Sequence, residues 1–222
     1  MKLIFANRNY SSWSLRPWLV LKHFGIPFEE DQVLLSGDGW QEKIRKKSPS
    51  GKVPVLIDGD ATVPESIAII EYLHDKFPTK GVWPSGRLER ATARSVSAEM
   101  HGGFSALRNE APMNMRAHHP GKVPFEKVKN DLRRIEEIWG DLTSESGGPY
   151  LFGKFTAADA MFAPVASRIK TYDLPVSEVA LDYVAAIHKL PAFVEWRDAA
   201  LKETWVVEDD EIDVLHARAA AK

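Results

Sequence analysis

The chain has 222 residues, 44% hydrophobic and 27% charged, with a formal net charge of −2 and no cysteine. That length buries a sizeable core as one large or two small domains, and the balanced charge offers no basic field to nucleic acid or an anionic membrane. The lack of cysteine excludes disulfides, thiolate metal sites and protein-thiol redox chemistry, and no window approaches the roughly 18 consecutive apolar residues of a spanning helix.

Met1-Lys2-Leu3-Ile4-Phe5 enters a strand rather than the apolar stretch of a signal peptide, so a cytoplasmic location is expected. The strand is expected over Lys2–Ala6, continuous in apolar residues after Lys2 as a buried strand is. A polar loop follows, then a helix carrying Leu15, Trp18 and Leu19 that stops near Phe24-Gly25. Pro17 lacks an N–H and fits without penalty no later than the third helical position, which places the N-cap at Ser14 or a residue later. Ser11 and Ser12 are then expected in the loop just ahead of the helix, their hydroxyls free to face a ligand.

Ile26–Leu35 reads as a second strand, followed by a Gly-rich loop and a polar segment around Trp40 to Lys47. Val53–Ile57 is a short β-branched run bounded by Gly51 and by Asp58-Gly59, and its partner returns through Ala61–Val63. Pro54 marks an edge or bend and admits a cis Val53–Pro54 bond, leaving the backbone of Val53 open to an extended peptide. Glu65-Ser66 opens an apolar-periodic helix through Ile67, Ile70, Leu73 and Phe77, so a hydroxyl and free N–H groups form an anion site at its N-terminus.

Pro78 to Gly86 is rich in Pro, Gly and Ser and reads as a linker, dividing the chain into residues 1–78, a linker at 79–87 and residues 88–222. Everything beyond it reads as helical. One long helix is expected over Leu88–Ala111, ending at Pro112, and another over Phe125–Leu142 with Val128, Leu132, Ile135 and Ile138 at helical spacing. Gly102-Gly103 in mid-helix costs roughly a kcal/mol per residue relative to Ala, and suggests close approach of a ligand or a second subunit. Thr156-Ala157-Ala158-Asp159 is a capping box, and further helices are expected over Ser177–Ile187 and from Pro191. His118-His119 have no accompanying carboxylate or thiol cluster, so no metal site is expected. The acidic run Glu208–Glu211 reads as a solvated tail.

The run Gly51-Lys52-Val53-Pro54-Val55-Leu56 followed by Pro64-Glu65-Ser66-Ile67 resembles the glutathione-binding half of the cytosolic glutathione transferases, and the Thr156 capping box resembles the folding signature of that family's second domain. The resemblance covers essentially the whole chain. It implies α/β plus all-α architecture: an N-terminal thioredoxin-like domain with a cis-proline, then an all-helical C-terminal domain. It also implies glutathione as substrate or cosubstrate, no metal, and a homodimer. By the same resemblance Val53 pairs its backbone with the cysteinyl unit, Ser66 and Glu65 hold the two charges of the γ-glutamyl end, and Lys52 reaches the glycyl carboxylate. The zeta-like serine-serine-x-x-x-arginine pattern matches Ser11, Ser12 and Arg16 and puts the thiolate donor at Ser11, whereas a delta-like alignment chooses Ser12. Ser11 is taken as the donor and Ser12 as the second catalytic candidate, both ahead of Tyr10. Trp13 stands where the zeta-like pattern has a cysteine. The second substrate is expected near His101, Phe104, Arg108 and Met113-Asn114, although no arginine pattern for a dicarboxylate stands out. The activity that the resemblance implies is that of a transferase conjugating glutathione to small electrophiles, with isomerisation of the maleylacetoacetate type and non-catalytic binding as the alternatives.

Overall fold

The computed structural model describes residues 1–35, 37 and 39–220. Four short strands form one mixed sheet in the order β2-β1-β3-β4. β1 (Lys2–Phe5) runs parallel to β2 (Glu29–Gln32) and antiparallel to β3 (Val55–Asp58), which turns through Gly59-Asp60 into β4 (Ala61–Pro64). Alternation along β1 serves two cores. Leu3 and Phe5 join the main core, while Ile4 and Val55 meet Val33 and Ile44, the latter on α2 (Trp40–Arg45). β2 is shorter than the expected Ile26–Leu35, because only its four polar residues pair with β1; Glu30 and Gln32 instead serve Arg8 and Trp18.

α1 (Ser12–His23) and α3 (Ser66–Lys76) complete the order β-α-β-α-β-β-α expected of a thioredoxin-like domain. α1 starts earlier than the proline argument allows. Ser11, not Ser14, is its N-cap, and Pro17 lies inside the helix, leaving the Trp13 carbonyl without its usual donor. Such a proline costs about 3 kcal/mol. Burial of Leu15, Trp18, Leu19, Val20 and Leu21, each worth about 1.5–3 kcal/mol, outweighs it.

After a 3-10 turn at Pro78–Lys80, the remaining elements are helical: α4 (Arg87–Gly102), α5 (Ser105–Glu110), α6 (Phe125–Ser146), α7 (Ala157–Tyr172), α8 (Glu178–Lys189), α9 (Pro191–Ala200) and α10 (Ile212–Ala220). The helix expected over Leu88–Ala111 is therefore two. Gly103 is extended and Phe104 left-handed at φ 56°. A Cβ on Gly103 would lie 2.7 Å from the Glu99 carbonyl oxygen, so the close approach that demands glycine is by the chain's own backbone. α7 is the central helix, buried almost throughout and packed against α1, α4 and α8. Asp159 in its first turn accepts from Leu151 N (3.0 Å), Thr156 N (2.8 Å), Thr156 Oγ1 (3.1 Å) and Tyr183 Oη (3.1 Å).

The C-terminal segment is not the solvated tail that its acidic run suggests. Glu203 accepts the N–H groups of Arg8 (2.8 Å) and Asn9 (3.0 Å), while Arg116 donates to the carbonyls of Glu203 and Trp205. Asp210 and Glu211 are half-buried against the first domain. Among the described residues, no helix is long and apolar enough to cross a membrane.

Candidate active site

Two helix N-termini and one bend face the boundary between the sheet domain and the helical domain. At α1, Ser14 N donates to Ser11 Oγ (3.3 Å) and Ser11 Oγ donates to Ser14 Oγ (2.7 Å), so the Ser11 hydroxyl is engaged in both directions. Ser12, the first helical residue, has no side-chain hydrogen bond among the described residues and lines a cleft of about 410 Å³. The cleft is also bounded by Trp13, Lys52, Val53, Arg108, Arg168 and Asp210.

The bend at Lys52-Val53 contains a cis Val53–Pro54 peptide, and Lys52 is exposed without an ion pair among the described residues. No partner for the backbone N–H or C=O of Val53 occurs among the described residues, which leaves a peptide edge open on the cleft. At the start of α3, Glu65 caps the helix with φ 74°, a conformation uncommon for a non-glycine residue. The Ser66 hydroxyl is fully buried with no partner among the described residues. A buried unpaired hydroxyl costs about 1–3 kcal/mol, and together with the positive φ of Glu65 it makes the start of α3 a candidate ligand contact.

His101 connects these parts. Its Nε2 is 3.8 Å from Glu65 Oε2, and its ring meets Trp13 edge-on at 5.1 Å between centroids. Burial and the neighbouring Arg16 push the imidazole below its ordinary range, with Glu65 acting the other way. The line Ser12-Trp13-His101-Glu65-Ser66 thus joins the two helix N-termini.

Of the residues expected to meet a second substrate, Arg108 and Met113 line the cleft, and His101, Phe104 and Asn114 do not. His101 supports Trp13 and Glu65. Phe104 is buried at the bend between α4 and α5. Asn114 is consumed by structure: it accepts from Asn9 Nδ2 at 2.8 Å and donates to Glu211 at 3.1 Å. Sequence reasoning left out Arg16 and missed Arg168 and Asp210. The guanidinium carbons of Arg16 and Arg108 lie 4.3 and 4.2 Å from the Trp13 ring centre. Arg16 is 1% exposed and Arg168 4% exposed. Each of the three arginines donates to a backbone carbonyl: Arg16 to Met161 (3.2 Å), Arg108 to His101 (3.0 Å) and Arg168 to Ala111 (2.7 Å). Nη1 of Arg16 and of Arg168 is buried with no partner among the described residues. Burial, then the neighbouring guanidiniums, push Arg16 well below its ordinary value, and burial followed by Arg108 brings Arg168 to about 10. Clustered, poorly solvated cations with unused donors form a place for an anion.

A sequence model described as "Glutathione S-transferase, N-terminal domain" matches residues 10–76, and one described as "Glutathione S-transferase, C-terminal domain" matches residues 125–199. A probable maleylacetoacetate isomerase from Vibrio cholerae is 26% identical over 204 residues, spanning 88% of this chain and 95% of that protein. Glutathione S-transferase 1 of Dianthus caryophyllus is 29% identical over 82% of this chain and 83% of its own. Among solved structures, a glutathione transferase homolog from Burkholderia with bound glutathione superposes with a TM-score of 0.68, at 25% identity over 90% of this chain and 96% of its own. With both domain descriptions matched in order, and together spanning more than half of its length, the chain belongs to the glutathione S-transferase family of enzymes.

Proposed function

We propose that this protein binds glutathione along Lys52, Val53, Glu65 and Ser66, stabilises its thiolate with the Ser12 hydroxyl, and offers the sulfur to a carboxylate-bearing electrophile held by Arg108 and Arg168. The observation that carries the substrate class is the pair of cations, Arg108 and Arg168, lining a cleft that also holds Ser12, with Arg168 Nη1 without a partner among the described residues. A free thiol ionises at about pH 8.5, so most of it is protonated at neutral pH. A hydrogen bond from Ser12 and the positive end of α1 favour the anion, at about 1.4 kcal/mol for each unit of depression. Glutathione's γ-glutamyl carboxylate suits the Ser66 hydroxyl and the N-terminus of α3, with Glu65 facing its ammonium. Its cysteinyl backbone suits the open edge at Val53, and Lys52 its glycyl carboxylate.

Two outcomes of the same thiolate addition fit this site. If the adduct is released, the reaction is conjugation; if the sulfur leaves again after bond rotation, it is isomerisation with glutathione unchanged. The relatives named maleylacetoacetate isomerases, together with the arginine cluster, favour the second as strongly as the first. Comparing the parent with Arg168→Met on ethacrynate, a carboxylate-bearing conjugated ketone, and on uncharged 1-chloro-2,4-dinitrobenzene tests the substrate class. The variant is expected to lose about 10- to 100-fold in kcat/KM on ethacrynate relative to the uncharged probe, the worth of a charge-assisted hydrogen bond. Equal losses on both probes contradict an anion subsite. Turnover of maleylacetoacetate without glutathione consumption identifies the isomerase.

A further inference from the structure

We propose that Asp210 is the proton donor to the acceptor's carbonyl oxygen, so that the C-terminal segment supplies a reacting group to the cleft. The inference rests on the glutathione reading above. Asp210 lines the same cleft as Ser12, Arg108 and Arg168. It is half-buried, and among the described residues its carboxyl has neither a hydrogen bond nor an ion pair. Arg168, 4% exposed, borders the same space, and its Nη1 has no partner among the described residues. An unpaired carboxyl and a buried guanidinium thus lie along one cleft.

The segment that carries Asp210 is anchored on both sides. Tyr10 Oη donates to Glu211 at 2.5 Å, Asn114 Nδ2 donates to the same carboxylate, and Arg116 holds the Tyr10 hydroxyl (2.9 Å) and the Trp205 carbonyl (2.9 Å). Asp210 N itself donates to Val207 O at 2.9 Å. Several charges act on the carboxyl. Burial raises it to about 6, Arg168 of α7 opposes that, and Asp209 and Glu211 beside it add to it. Tyr172 also faces it from α7, while Lys52, Tyr10 and Arg108 border the cleft. A carboxyl poised near neutrality suits general acid catalysis, typically worth 10²- to 10⁴-fold.

The step balances as follows. The glutathione thiolate forms a C–S bond at the β-carbon of a conjugated ketone, and the C=C π pair shifts to leave the negative charge at the carbonyl oxygen. That oxygen takes the Asp210 proton to give the enol, and the carboxylate left behind is neutralised by Arg168. In the reverse direction the enol returns its proton to Asp210 as the C–S bond breaks, and the double bond re-forms after rotation. In conjugation, the enol returns the same proton to Asp210 while the α-carbon takes one from water.

Asp210→Asn and Asp210→Glu test this with glutathione and two probes, ethacrynate and 1-chloro-2,4-dinitrobenzene. Aromatic substitution on the second has no carbonyl oxygen to protonate. For Asp210→Asn the ratio of the ethacrynate rate to the dinitrobenzene rate is expected to fall about 100-fold. Asp210→Glu restores part of that ratio. The parent's kcat on ethacrynate should decline as pH rises through the carboxyl's titration, and this limb should vanish in Asp210→Asn. An unchanged ratio, or an alkaline limb that persists in Asp210→Asn, overturns the proton donor while leaving the glutathione reading intact. Failure of the parent to bind glutathione removes both.

Discussion

Ser11 and Ser14 close on each other, the Ser14 N–H donating to Ser11 Oγ at 3.3 Å and the Ser11 hydroxyl donating to Ser14 Oγ at 2.7 Å. Ser14 Oγ also accepts the Ala6 N–H at 3.1 Å, which ties the end of β1 to the start of α1. Two of the three serines therefore build the loop, and the third, Ser12, is left with a free hydroxyl on the cleft. Ser14→Ala, which strands the buried Ala6 N–H, is expected to cost about 1–3 kcal/mol in denaturant unfolding while bound glutathione still ionises. Loss of ionisation with full stability would contradict that division of roles.

Ser66 gives the opposite sign. Its hydroxyl is buried without a partner, so Ser66→Ala removes an unsatisfied group and is expected to leave the free protein as stable or up to about 1 kcal/mol more stable. Glutathione affinity should fall about 10-fold, read by calorimetric titration, because the γ-glutamyl carboxylate loses a donor. A destabilised variant with unchanged affinity would make the hydroxyl structural.

Asp159 is the most connected buried carboxylate in α7, with two backbone N–H groups and two hydroxyls donating to it. Asp159→Ala leaves all four without that acceptor and is expected to cost at least about 3 kcal/mol. For a chain of this length that lowers Tm by about 6–12 °C, measurable by calorimetry. A change below about 1 kcal/mol would show that this box does not hold the helical domain together.

His188 makes stability fall in acid. Burial depresses it from 6.5 to about 4, with Lys170 and Arg197 adding to the effect and the Ala166 carbonyl, which accepts from Nε2 at 3.3 Å, opposing it. The folded value lies below the unfolded one, so between about pH 6.5 and 4 the unfolded chain binds the proton that the folded chain refuses. Stability from this group is present above that window and lost through it, by about 3 kcal/mol. The difference in stability between the parent and His188→Leu should shift by that amount over the window. A constant difference contradicts the assignment.

The thioredoxin-like order was legible because short β-branched runs, Asp58-Gly59 and the Glu65-Ser66 helix start are local signals. The Thr156 and Asp159 box was legible for the same reason. The start of α1 was misplaced because a local rule about Pro17 was outweighed by burial of Trp18 and its neighbours. The bend at Phe104 was hidden because Gly102-Gly103 signalled a close approach without saying that it is to the chain's own Glu99 carbonyl. The arginine cluster was illegible for a different reason: Arg16, Arg108 and Arg168 belong to three helices that only tertiary packing brings together. The one trace in the sequence is Arg168, a buried cation in a helix of mostly small and apolar residues, where the other cation, Lys170, is exposed. Asp210 was read as solvated because its neighbours are acidic, while the contacts that anchor its segment, through Glu211 and Trp205, come from Tyr10, Asn114 and Arg116 far away in the chain.

The central claim is that the Ser12 hydroxyl holds the glutathione thiolate. Titrating the ultraviolet absorbance of bound thiolate against pH in the parent, Ser11→Ala and Ser12→Ala tests it most directly. The account predicts a depressed thiol pKa in the parent, return toward about 8.5 in Ser12→Ala, and a smaller change in Ser11→Ala. A Ser12→Ala titration that coincides with the parent's would contradict it.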